Sequence, residues 1–88
     1  MTSRHLIIHG RVQGVFYRDW TAETARALGV AGWVRNLPDG TVEAHLEGDA
    51  EAVAQMIAAM RDGPPHARVE WIGQREVEPQ GFDGFNRR

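Results

Sequence analysis

The turn signal Asn36-Leu37-Pro38-Asp39-Gly40 restricts the possible folds more than any other segment of this sequence. An Asp-Gly pair after a proline favours a tight hairpin, so the segments on either side are predicted to be antiparallel neighbours. Residues 30–35 form a β-prone run before the turn. After it, Val42, Ala44 and Leu46 alternate with polar residues. This alternation predicts a strand with one buried face and one face in water.

Two further segments have the pattern of helices. Residues 19–28 are rich in helix formers and are followed by Gly29, which is well placed to end a helix. In the second segment, Asp49 can cap a helix that stops at Gly63-Pro64-Pro65. That helix carries an amphipathic stripe at i, i+3, i+4 and i+7, formed by Val53, Met56, Ile57 and Met60.

Three more strands complete the prediction: residues 5–9, residues 68–77, and a short closing strand within residues 82–88. The predicted order is therefore βαββαβ with an extra C-terminal strand. We expect an α+β fold, a ferredoxin-like sandwich with two helices on one face of an antiparallel sheet, as a single domain over residues 1–88. Because this architecture supports many unrelated functions, it does not identify an activity.

The composition excludes several classes of protein. There is no cysteine, so neither disulfides nor thiolate chemistry is available, and a reducing cytoplasm is the expected location. The only apolar run near the start, Leu6-Ile7-Ile8, is too short for a signal peptide or membrane span. The net charge of −2, with acidic residues interspersed among the arginines, gives no basic surface for nucleic acid. We expect a monomer.

The loop between the first strand and first helix, Gly10-Arg11-Val12-Gln13-Gly14-Val15-Phe16-Tyr17, leads directly to Arg18. A cation at a helix N-terminus is disfavoured by about 0.3–1 kcal/mol unless an anion lies beside it. Such a loop can direct main-chain N–H groups at a phosphate, and a guanidinium matches two phosphate oxygens. An ordinary connection with a solvated arginine fits the spacing equally well. Gly14 is followed by neither Lys-Ser nor Lys-Thr, and there is no metal-ligand cluster, so the predicted site is a metal-free anion site.

Asn36 and His9 each allow a structural and a catalytic interpretation. Asn36 lies at the turn, where asparagine commonly bonds its own backbone, but its amide can instead position a water. Solvated positions are expected for His5, His45 and His66, with His45 facing outward between two glutamates, and His9 is the only candidate base. The three tryptophans are expected in the core or on a sheet face rather than in a base-stacking platform.

Two motifs, Gly10-Arg11-Val12-Gln13-Gly14-Val15-Phe16-Tyr17-Arg18 and Gly32-Trp33-Val34-Arg35-Asn36-Leu37-Pro38-Asp39-Gly40-Thr41-Val42-Glu43, strongly resemble the acylphosphatase family over nearly the whole chain. The resemblance implies hydrolysis of acyl phosphates to a carboxylate and inorganic phosphate. It also implies that Asn36 orients the attacking water. The phosphate would be held by the Arg18 side chain and by the main-chain amides of Gly14, Val15, Phe16, Tyr17 and Arg18.

Since an acyl phosphate is already activated, positioning and charge stabilisation suffice, and we expect no cofactor, metal or covalent intermediate. The substrate phosphate is the first choice of proton acceptor, before His9. The family's last strand commonly ends Phe-x-Ile-Arg, whereas this chain has Phe85-Asn86-Arg87-Arg88. Arg87 stands where the family has the isoleucine, and we expect this difference to affect the packing of the last strand but not the site.

Three other functions fit the same fold. One is a non-catalytic module that binds phosphate or another ligand. Another is the acylphosphatase-like domain that opens hydrogenase-maturation carbamoyltransferases, although a chain of 88 residues favours a free-standing protein. The third is an RNA-binding module, which the mild acidity and the lack of interleaved aromatic and basic residues disfavour.

Overall fold

The computed structural model describes residues 1–88. Its elements follow the predicted order. They are β1 (Thr2–Arg11), α1 (Tyr17–Leu28), β2 (Ala31–Asn36), β3 (Val42–Gly48), α2 (Ala50–Asp62), β4 (Arg68–Glu76) and β5 (Phe85–Arg87). Neither helix is long and apolar enough to cross a membrane.

The strands form one sheet in the order β4-β1-β3-β2-β5. The pairs among β1 to β4 are antiparallel, as predicted, but β5 runs parallel to β2, so the sheet is mixed. A core of 16 buried residues joins the sheet to both helices and contains the whole predicted stripe of α2. The fold prediction is confirmed, with β5 added at an edge.

Strand β1 extends beyond the predicted residues 5–9 at both ends, and Gly10 does not end it. The register of β1 against β4 shifts between His9 and Gly10, which marks a β-bulge. Gly10 adopts φ 131°, and a Cβ there would lie 2.1 Å from the main-chain oxygen of Arg68. Glycine therefore lets the strand continue through a close approach to its neighbour.

The predicted helix caps, Asp49 and Gly29, flank their helices as expected, but only Gly29 makes capping hydrogen bonds. Asp49 precedes α2 in an extended conformation, yet its side chain makes no capping hydrogen bond. Helix α1 begins at Tyr17, two residues earlier than predicted, after Phe16 in a left-handed conformation. Gly29 ends α1, with its N–H bonded to carbonyls of the last turn.

The expectation that His45 faces water is wrong. Residues 77–84, here called the crossover segment, connect β4 at one edge of the sheet to β5 at the other. The main-chain N–H groups of Gln80, Gly81 and Phe82 donate to the Glu47 carboxylate, which also contacts His45 Nε2 at 2.7 Å. His45 and Glu47 are each 2% exposed as a result.

The Glu47 carboxylate is stabilised in its charged form despite being buried. Burial by itself opposes ionisation, but the hydrogen bonds from the crossover segment and from His45 outweigh it, so the pKa of Glu47 lies below its ordinary value. Glu47 therefore anchors the segment that leads to β5.

Candidate active site

A cavity of about 220 Å³ lies where β1 and β2 end and α1 begins. Sheet register explains why these ends meet, because Ile8 of β1 and Asn36 of β2 both pair with Val42 of β3. Strand β5 closes one side. The lining residues are Val12, Gly14, Phe16, Tyr17, Arg18, Asp19, Asn36 and Arg87. The two predicted catalytic side chains, Arg18 and Asn36, thus share one cavity.

The loop into α1 is held open by two left-handed residues and anchored by two buried ones. Gly14 has φ 74° and Phe16 has φ 63°, while Val12 and Tyr17 are each 1% exposed. The Tyr17 hydroxyl donates to the main-chain oxygen of Met60 at 2.8 Å. Burial raises the pKa of Tyr17. This tyrosine ties the start of α1 to the end of α2 and keeps its hydroxyl away from the chemistry.

The main-chain N–H groups from Gly14 to Asp19 donate no hydrogen bond within the protein. The first amide of the helix to find a partner is that of Trp20, which donates to Phe16 O at 3.0 Å. No side chain caps this helix end. Val15 packs its side chain against the core and does not line the cavity. The unpartnered amides, at the positive end of the helix dipole, are suited to an anion.

Arg18 lies in the first turn of α1 and in the cavity wall. Its Nη1 donates to the main-chain oxygen of Arg88 at 2.7 Å. A guanidinium carries five N–H donors, so this bond leaves others for a ligand. Arg18 is therefore held from the β5 side rather than left in bulk solvent.

Asn36 is the last residue of β2, and its side chain makes no hydrogen bond in the protein, with Oδ1 buried and unpartnered. The turn uses Asp39 instead, whose Oδ1 accepts from the Thr41 N–H at 3.0 Å and its hydroxyl at 2.6 Å. These bonds lower the pKa of Asp39. The hydrogen bonds that were expected of Asn36 at the turn are thus made by Asp39, and the Asn36 amide can act in the cavity instead.

Sequence reasoning missed Gln13. Its side-chain Nε2 donates to the main-chain oxygens of Leu37 and Thr41, at 2.8 Å each. These bonds tie the loop before Arg18 to the hairpin after Asn36. A polar residue between a buried valine and a glycine was the only local signal, because its partners lie 24 and 28 residues away.

Asp19 was also not assigned to the site, and the expectation that Arg87 affects only the packing of the last strand is wrong, because Arg87 lines the cavity. The Arg87 Nε lies 2.6 Å from Asp19 Oδ1, and both residues line the cavity. His9, the candidate base, is not in the cavity wall and stacks on Trp71 with ring centroids 3.8 Å apart. The structure contains no cluster of His, Cys, Asp or Glu side chains that could hold a metal ion.

Comparisons with known proteins agree with one another. The sequence profile of the acylphosphatase family matches residues 4–87. An acylphosphatase of Acidiphilium cryptum is 51% identical over 88 residues, which cover 100% of this chain and 97% of that protein. The crystal structure of acylphosphatase from Bacillus subtilis superposes with a TM-score of 0.95 at 34% identity, covering 98% of this chain and 97% of that one.

A longer protein contains the same fold. The crystal structure of HypF from Thermococcus kodakarensis matches with a TM-score of 0.86 at 33% identity. The match covers 100% of this chain but 12% of HypF. The likeness is thus to one small part of that protein.

Proposed function

The chain belongs to the acylphosphatase family and is a hydrolase acting on acyl phosphates, and we propose that it works by metal-free attack of water on phosphorus. The observation that carries this proposal is the row of unpartnered amides from Gly14 to Asp19, beside the cavity that Arg18 and Asn36 share. Together they provide donors for a phosphoryl group and an amide for a water.

The phosphoryl group is held by the Arg18 guanidinium and by the main-chain amides of Gly14 to Arg18. As the substrate reacts, charge spreads over the equatorial oxygens, and donors already fixed in place stabilise it without reorganising. Because a guanidinium matches two oxygens at once, Arg18 fixes the orientation of the group as well as its charge.

The attacking water is positioned by Asn36, whose amide both donates and accepts hydrogen bonds. Its oxygen forms a bond to phosphorus as the bond from phosphorus to the acyl oxygen breaks. The carboxylate departs with that electron pair, and the water proton passes to a phosphate oxygen. A carboxylate is a good leaving group, so no general acid is needed. His9 is not needed as a base, and its stacking on Trp71 supports leaving it out.

We test the proposal with benzoyl phosphate and the variants Arg18→Ala and Asn36→Ala. Each is expected to reduce kcat by about 10²- to 10³-fold, the usual effect of removing one preorganised donor. Asn36→Ala should still bind inorganic phosphate, measured by calorimetry, while Arg18→Ala should not. The matched controls Arg75→Ala and Gln55→Ala remove exposed side chains from β4 and α2 and should leave hydrolysis unchanged.

The proposed mechanism would be overturned if Arg18→Ala and Asn36→Ala hydrolysed benzoyl phosphate as fast as the wild type. Loss of phosphate binding in Asn36→Ala would overturn the assignment of Asn36 to the water rather than to the phosphoryl group. We further propose that the protein acts as a monomer in the cytoplasm. Every residue assigned to the site comes from one chain, and the absence of cysteine suits a reducing compartment.

A further inference from the structure

Arg87 brings a second guanidinium into the wall of the cavity. Strand β5 is three residues long, and its parallel pairing with β2 places Arg87 opposite Val34. From there the side chain lines the same cavity as Arg18 and Asn36. A mechanism that holds the phosphoryl group with Arg18 and the loop amides gives Arg87 no task.

Arg87 forms a weak ion pair with Asp19. Its Nε lies 2.6 Å from Asp19 Oδ1, but the Arg87 side chain is 45% exposed and that of Asp19 is 55% exposed. For an ion pair this exposed to water, the paired state is favoured over the separated one by about fivefold at most. A carboxylate on the Nε side engages at most Nε and one terminal nitrogen, so the other terminal nitrogen stays available.

The cavity has room for more than the phosphoryl group. Its volume of about 220 Å³ is roughly seven times the ~30 Å³ that one water occupies in the liquid, whereas a phosphoryl group has only four heavy atoms. Part of the acyl group can therefore lie beside Arg87. An acyl group with its own carboxylate would pair with the free terminal nitrogen, or replace Asp19 at little loss.

We propose that Arg87 is a specificity residue that favours acyl phosphates whose acyl group carries a carboxylate. The proposal rests on the proposed function, since it concerns the substrate of that same site. Asp19 opposes the preference, because it competes with the substrate for the same guanidinium.

The test compares two substrates that differ in charge and hardly in shape, 4-carboxybenzoyl phosphate and 4-carbamoylbenzoyl phosphate, together with the corresponding 3-substituted pair. The measured quantity is the ratio of kcat/KM for the carboxylate over the amide. Because both values come from the same enzyme sample, loss of folded protein cancels. In the wild type we expect a ratio above one for at least one pair, falling as salt is raised to about 1 M, where charges are screened beyond ~3 Å.

Variants assign the preference to Arg87. Arg87→Ile should lower the ratio about threefold, and Arg87→Lys should retain most of it, as expected for an exposed charge pair. Asp19→Asn should raise the ratio because it frees the guanidinium. The control Arg75→Ile makes the same change on the exposed strand β4 and should leave the ratio as it is.

Unchanged ratios in both Arg87→Ile and Asp19→Asn would overturn the proposal and reduce this ion pair to a clamp between β5 and α1. If the wild type still hydrolysed benzoyl phosphate in that experiment, the proposed function would stand. A wild-type protein that hydrolysed none of the substrates would overturn both.

Discussion

The Nη1 of Arg18 and the main-chain oxygen of Arg88 lie 2.7 Å apart, joining the first turn of α1 to the residue after β5. The Arg88 N–H in turn donates to Val34 O at 2.8 Å, which fixes that oxygen to the sheet. An arginine side chain has several freely rotating bonds, and ordering it opposes binding. The bond therefore holds Arg18 ready before the substrate arrives.

Removal of Arg88 should weaken the site although the catalytic side chains remain. Without its partner, Arg18 must be ordered by the substrate, so we expect kcat/KM for benzoyl phosphate to fall about tenfold, equal to ~1.4 kcal/mol. Arg88→Met is the matched control, because it retains the main-chain oxygen and removes only the guanidinium over Trp33. Equal losses in the two variants would contradict the orienting role.

Gln13→Ala should lower kcat more than it changes KM. The substitution removes both bonds to the hairpin, so the loop that carries Arg18 and the strand end that carries Asn36 can move relative to each other. We expect a loss of about 10-fold in kcat, since small errors in alignment are costly, and about 1–2 kcal/mol in the free energy of unfolding. Steady-state kinetics and urea unfolding measure the two effects.

The control for Gln13 is Gln80→Ala, which removes an exposed glutamine whose main-chain N–H remains in place. Gln13→Glu provides a second comparison, because a carboxylate of the same shape cannot donate to the two carbonyls. Full activity in Gln13→Glu would show that the bonds do not position the site.

Phe16→Gly should be more stable than Phe16→Ala. Phe16 is 79% exposed and has φ 63°, so either substitution loses little packing, but only glycine relieves the left-handed conformation. The expected difference in the free energy of unfolding is about 1–2 kcal/mol. Thermal and urea unfolding of the two variants measure it directly, and equal stabilities would mean that the loop relaxes elsewhere.

Glu47→Gln should change how stability depends on pH. The pKa of Glu47 in the folded protein is below its ordinary value of 4.5, so its contribution is complete above about pH 4.5 and is lost as pH falls through the folded pKa. At pH 7 the variant should be less stable by about 1–3 kcal/mol, because an amide cannot accept all the bonds that the carboxylate accepts.

The difference between wild type and Glu47→Gln should therefore shrink below pH 4.5, as measured by urea unfolding from pH 7 to pH 3. Glu70→Gln, an exposed change on β4, serves as the control. A difference that stayed constant across this range would show that ionisation of Glu47 is not what anchors the crossover segment.

Local signals predicted the elements well. The Pro38-Asp39-Gly40 turn and the apolar stripe of α2 act through neighbouring residues, and both lie where the sequence placed them. The prediction of burial failed for residues whose contacts are distant in sequence. His45 reads as outward because of its alternation, but residues 77–84 cover it, and no pattern near position 45 encodes that segment.

The same limit applies to the site. Arg18 and Asn36 could be proposed from motifs, and the sheet register brings them to one cavity. The partners of Gln13, Arg18 and Arg87 lie on other elements, so their roles depend on packing that a linear pattern does not specify.

The position of β5 matters for anyone who modifies this protein. Arg88 lies against Arg18, whereas Thr2 pairs with Gly48 at the opposite end of the sheet. Along β3, from Val42 beside Asn36 to Gly48 beside Thr2, the distance is about 20 Å at roughly 3.3 Å per residue. A purification tag or fluorescent fusion attached after Arg88 would emerge at the mouth of the cavity, while one attached before Met1 would leave the catalytic end free.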